Sequence, residues 1–131
     1  MSNEFFIEIA LDSNKHFYKE KKHILLTRLP TIGCEDWYTF HDVEQRPRKH
    51  IYKEIYCIRI SNVDTVIRLI SLVKRVKGVF IECVYTKKQV IYASNSYSKQ
   101  MNKDKVKELK QRKKTELEKR IIHCITNRVL V

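Results

Sequence analysis

Glu35, Asp36, His41 and Asp42 stand within eight residues of one another. Carboxylates beside a histidine can hold a divalent cation or move a proton. Phosphodiester hydrolysis usually needs carboxylates gathered around metal ions, and no second acidic group lies at a recognisable distance from this one. A metal-dependent nuclease is therefore the least favoured reading, and an acidic surface loop the plainer one. Cys34, His41, His123 and Cys124, with Cys57 or Cys83, supply the atom types of a zinc site. Structural zinc sites draw their ligands from close pairs, and the chain has neither a CxxC nor an HxxxH. With Gly33 and Gly78 as the two glycines, there is no glycine-rich phosphate loop. The residues point to no catalytic group, metal or cofactor, and to a non-enzymatic protein.

The cations make a stronger pattern. "KDKVKELKQRKKTELEKR", Lys103 to Arg120, carries nine basic residues against four acidic ones. "RPRKHIYK" sets Arg46, Arg48, Lys49 and Lys53 close together, Lys87 and Lys88 fall between two apolar runs, and Lys74, Arg75 and Lys77 close an amphipathic stretch. Clustered cations on one surface are what phosphate contacts require, without any base code. The expected phosphate-binding residues are Arg46, Arg48, Lys49, Lys53, Lys103, Lys107, Lys110, Arg112, Lys113 and Lys114. Tyr52, Tyr56, Tyr85, Tyr92 and Tyr97 interleave with these cations and could stack on unpaired bases. The signature of an RNA-recognition module is absent, since the corresponding run reads "QVIYASNS". The bland alternative for Lys103–Arg120 is the solvated face of a helix, helped by Glu108–Arg112 and Glu116–Arg120 pairs at i,i+4.

The net charge of +12 is unevenly spread. Residues 1–44 hold five Lys and Arg against eight Asp and Glu, a net of −3, and residues 45–131 hold 22 against seven, a net of +15. Such a gradient suggests a polyanion on one side and a different contact on the other. At 131 residues the chain fits a single domain with a true core. No apolar run approaches the roughly 20 residues that span a bilayer. "EFFIEIAL" has no basic lead-in to make it a signal peptide. An intracellular, non-secreted protein with reduced cysteines is expected.

These residues need elements to position them. Asn3 to Asp12 alternates, with Phe5, Ile7, Ile9 and Leu11 on its apolar side, and predicts a strand. "HILLTRL" reads as a second strand paired with it in a hairpin, and Pro30 to His50 as a loop with a short strand at Trp37–Phe40. Ile51–Ile60 predicts a strand, and Val63–Lys77 a helix capped by "SN" and closed by Gly78. Val79–Tyr85 and "QVIYAS" predict a hairpin, Gln100–Ile125 one long helix capped by Asn102, and "RVLV" a last strand. The order from Ile51 onward is that of a ferredoxin-like βαββαβ core, an α+β fold over about 51–131. It would follow an acidic N-terminal hairpin and loop extension over 1–50.

The reading favoured by these observations is a small basic protein that binds nucleic acid, DNA or RNA, or a nucleoprotein complex through phosphate contacts. The alternative is a protein–protein adaptor or accessory subunit, of a kind a virus or parasite encodes, anchored by Trp37, Tyr38 and Phe40. No membrane partner is expected. The acidic N-terminal part would face another protein or a second copy in a homodimer.

Overall fold

A computed structural model describes residues 4–12 and 16–127, with the backbone alone at 46 and 49. The protein is α+β: five antiparallel strands and five helices. Strand β1 is Phe5–Asp12, followed by helix α1, Tyr18–Arg28, and a single 3-10 turn at Pro30–Ile32. Strands β2 (Trp37–Arg46) and β3 (Lys49–Ile60) form a hairpin, helix α2 is Val63–Arg75, and β4 (Val79–Tyr85) and β5 (Val90–Ala93) form a second hairpin. Helices α3 (Asn95–Gln100), α4 (Lys103–Gln111) and α5 (Glu116–Thr126) complete the described chain.

The sheet order is β2-β3-β1-β4-β5. The first strand is thus the centre of the sheet, with Ile7 opposite Ile58 on one side and Val84 on the other. The expectation of an N-terminal extension attached to a core at 51–131 is corrected on this point. A strand–helix–strand–strand–helix–strand order does occur, but over residues 5–85. Helix α2 joins β3 to β4 across β1, and α1 joins β1 to β2 across β3.

The alternation in β1 predicts its buried face. Phe5, Ile7, Ile9 and Leu11 are buried together with Leu25 of α1, Val66, Leu69, Ile70 and Val73 of α2, and Ile121 of α5. Three helices therefore cover one face of the sheet. Burial of a large aliphatic side chain contributes about 1.5–3 kcal/mol, so this shared layer dominates the stability. Helix α2 forms where expected: Asn62 accepts a hydrogen bond from the Asp64 amide, and Gly78, at φ 91°, supplies the left-handed residue of the turn into β4.

Three expectations differ. "HILLTRL" belongs to α1, not to a strand. Its apolar run hid a helical spacing in which Leu25 and Leu29, one turn apart, reach the core while Ile24 and Leu26 pack at its margin. Within Pro30 to His50, the short strand expected at Trp37–Phe40 runs on as a ten-residue strand paired in unbroken register with β3, from Trp37 opposite Ile58 to Arg46 opposite Lys49. Its alternation is masked because an edge strand can be wetted on both sides, as at Phe40, His41 and Val43. The long helix expected over Gln100–Ile125 is two, α4 and α5, preceded by the short α3. Ser94, Asn102 and Thr115 each accept a hydrogen bond from an amide in the first turn of α3, α4 and α5. The expected last strand at "RVLV" lies outside the described residues.

Candidate functional site

The sheet face opposite the helices is built from alternate residues of four strands. Phe6, Glu8, Ala10 and Asp12 of β1 register with Arg59, Cys57, Ile55 and Lys53 of β3. Tyr38, Phe40 and Asp42 of β2 stand opposite Cys57, Ile55 and Lys53. Lys53 is buried, and its Nζ lies 3.0 Å from Glu44 Oε2 and 3.1 Å from Glu82 Oε1, while donating to Ser96 Oγ at 3.1 Å. Burial pulls its pKa down, but Glu44 and Glu82 more than offset this and the net shift is upward. A lysine committed to two carboxylates inside the protein cannot also meet a phosphate, so Lys53 leaves the expected set.

Glu8 sits in a polar seam across the middle of this face. Cys57 and Cys83 flank it in register, and the Cys57 thiol lies 3.5 Å from the Tyr85 hydroxyl. Burial raises the Glu8 pKa, against hydrogen bonds from Tyr85 and Cys83. The Tyr85 ring stacks on Phe6 at 5.3 Å, and burial pushes the Tyr85 and Tyr97 phenols up. Tyr56 is buried in the core and its hydroxyl donates a hydrogen bond to Glu54. These three tyrosines are thus packing groups, and Tyr52 remains the exposed one on β3. A glutamate at the centre of an otherwise apolar strand was the sequence signal for this seam.

The acidic window does not converge. Asp36 pairs with Arg59 at 2.6 Å, and His41 and Asp42 are adjacent on β2, so their side chains leave opposite faces. His41 lies 4.0 Å from Glu54 on the helix side. Among the described residues, no three His, Cys, Asp or Glu side chains are grouped to hold a metal ion. Cys34 is buried in the core, where burial raises its thiol pKa to about 11.

The cations divide between the two ends of the sheet. Arg48 lies at the β2–β3 turn, beyond the Asp12 end of β1, and the last turn of α2 leads into β4 at that same end. Arg46 and Lys49 belong to this turn by backbone. Lys74 is committed there: its ammonium donates to the Cys124 carbonyl at 2.8 Å and to that of Asn127, closing the C-terminus of α5. Lys87 and Lys88 lie at the opposite end, on the β4–β5 turn beyond the Phe6–Tyr85 pair. There they line one groove with Lys105 of α4. A second groove beside α4 is lined by Lys99, Lys110 and Lys114. Lys103, Lys107, Lys110 and Lys113 are exposed.

Two expected cations have other partners. Arg112 Nη1 donates to Glu118 Oε1 at 3.1 Å, and Nη2 donates to the Val90 carbonyl at 3.1 Å. Its expected partner was Glu108. The Lys114 ammonium donates to the carbonyls of Leu109 and Arg112, the latter at 3.3 Å. Arg120 reaches Asp64 of α2 at 3.5 Å instead of Glu116, which pairs with Lys119 at 3.3 Å. Of the anchoring aromatics, Tyr38 and Phe40 are exposed on β2, whereas Trp37 packs against the core. Comparison with protein-family models, curated proteins and solved structures finds no match.

Proposed function

We propose that this is a small basic protein that binds nucleic acid through phosphate contacts made by the face of α4 and the β4–β5 turn. The observation that carries the reading is the groove in which Lys87, Lys88 and Lys105, distant in sequence, come together. Lys103, Lys107 and Lys110 are exposed on the other side of α4, and Lys113 beyond its end, so the helix carries cations on two sides. Lysine ammonium groups on such a surface neutralise phosphates and release counterions without reading bases. The element order over 5–85 and the β2-β3-β1-β4 arrangement also support a ferredoxin-like frame shifted toward the N-terminus, with β5 and α3 to α5 added to it. That frame hosts many functions, so the argument for binding rests on the cations.

The test is fluorescence anisotropy with short single- and double-stranded DNA and RNA at several salt concentrations, on wild type and on Lys87→Gln/Lys88→Gln/Lys105→Gln. Each phosphate contact contributes about 0.7–0.9 to the slope of log affinity against log salt. The triple variant is expected to bind more weakly, with a slope shallower by roughly 2. Absence of binding at low salt, or a slope unchanged in the variant, rejects this surface as a phosphate grip.

A further inference from the structure

The groove that gathers Lys87, Lys88 and Lys105 has a carboxylate inside it. Glu8, on the central strand, lines the same groove, whose volume is about 370 Å³. The three lysines are exposed at its rim, whereas Glu8 is half-buried. Tyr85, Tyr97 and Met101, all partly buried, supply its apolar wall. Among the described residues, Glu108 is the one other carboxylate along it, exposed on α4, so the rim keeps an excess of positive charge. Arg112 also lines it but is committed to Glu118.

Among the described residues, no cation pairs with Glu8. Burial raises its pKa, hydrogen bonds from Tyr85 and Cys83 oppose this, and the charges that act on it are the carboxylates of Glu82 and Asp42. On the same face, Lys53 is held by Glu44 and Glu82, and Arg59 by Glu4 and Asp36. A half-buried carboxylate without a counter-ion is costly, and such groups concentrate at binding and catalytic sites. A carboxylate has about four acceptor positions, so two donors leave room for more.

Glu8 repels a phosphate, so the phosphates stay at the rim and what reaches the floor is uncharged and carries N–H donors. We propose that the groove seats one unpaired guanine of a single strand, its N1–H and N2 amino group donating to the Glu8 carboxylate while the lysines hold the adjoining phosphates, an assignment that rests on the phosphate-binding reading of this surface. Guanine presents two adjacent donors on its pairing edge, which match the two oxygens of a carboxylate. Each of the other bases sets an acceptor beside its donor there, and that acceptor would face Glu8. In a duplex this edge is already paired and lies inside the stack, so the occupant is single-stranded. Lys87 follows Cys83, the residue opposite Glu8, by four positions, at most about 14 Å along the chain. One nucleotide can therefore extend from floor to rim.

The test is fluorescence anisotropy of the full chain with short single strands of uridine that carry one central guanosine, inosine or adenosine. Wild type is expected to bind the guanosine strand about tenfold more tightly than the adenosine strand, with inosine, which lacks only the N2 amino group, in between. Glu8→Gln keeps the shape of the side chain and turns one acceptor into a donor. It is expected to bring the guanosine-to-adenosine affinity ratio close to one, with an unchanged circular dichroism spectrum. Should that variant misfold, the inosine strand decides on wild type, since loss of the amino group must weaken binding severalfold. Salt-dependent binding that ignores the central base overturns the guanine site and leaves the phosphate grip standing. So does a guanosine preference that survives in Glu8→Gln. Failure of every strand to bind at low salt overturns both.

Discussion

At the residue scale, the buried ion pairs set the chemistry of the molecule more than the acidic window does. Glu118 is buried, accepts from both Arg112 nitrogens, and caps the Thr115 amide at 3.2 Å. The hydrogen bond from Arg112, opposed by burial and assisted by Thr115, holds the Glu118 carboxyl at about 2 instead of 4.5. A carboxyl depressed on folding contributes stability that is full above its unfolded pKa and is lost as pH falls through the folded value. Glu118→Gln is therefore expected to cost on the order of 2–3 kcal/mol at pH 7 and little near pH 2. Urea midpoints across that range check it, and parallel profiles for wild type and variant contradict it. Lys53 has the opposite sign. Its raised pKa makes its contribution full below the unfolded value and lost as pH rises through the folded one. Neither pair could be read from spacing, because Arg112 and Glu118 straddle a helix break and Lys53 meets Glu82 from another strand.

At the element scale, capping residues decide where the C-terminal helices stop. Thr115 and Glu118 form a reciprocal capping box at the start of α5, so the break after α4 is written in "TELE". That signature was legible in the sequence, but the i,i+4 charge pairs around it imitate a continuous helix. Thr115→Ala is expected to cost about 1 kcal/mol and lower Tm by roughly 3–5 °C, measured by thermal unfolding with far-UV circular dichroism. An unchanged Tm would mean that α5 is positioned by Ile121 packing alone. The buried strand β1 and the amphipathic α2 were legible because half-burial imposes period 2 on a strand and period 3.6 on a helix. Strand β2 was legible only at Trp37–Phe40, because an edge exposed on both faces imposes no alternation on the rest. Helix α1 was not, because its contiguous Ile24, Leu25 and Leu26 obscure the one-turn step from Leu25 to Leu29.

At the scale of the whole molecule, the sheet separates the cations that the sequence pools. Arg48 and Lys77 lie toward one end, and Lys87, Lys88 and Lys105 toward the other. The eight residues of β1 between them span about 27 Å. An oligonucleotide too short to bridge that distance is expected to lose affinity in the Lys87→Gln/Lys88→Gln/Lys105→Gln variant and to bind Arg48→Gln/Lys77→Gln as it binds wild type. Equal losses in both variants, by the same anisotropy titration, would mean that the charge acts as a diffuse field and not as a surface. The sequence by itself determined the net charge and its asymmetry, the α+β class, the apolar face of β1, and the span and cap of α2. These follow from composition and from local periodicity, to which each residue contributes independently of its distant neighbours. Only the tertiary structure decided that the first strand is central, that Lys53 and Arg112 are consumed by buried carboxylates, and that Lys105 joins Lys87 and Lys88. Those outcomes depend on which strands pair and on which charges burial forces together, and neither is encoded at any fixed spacing along the chain.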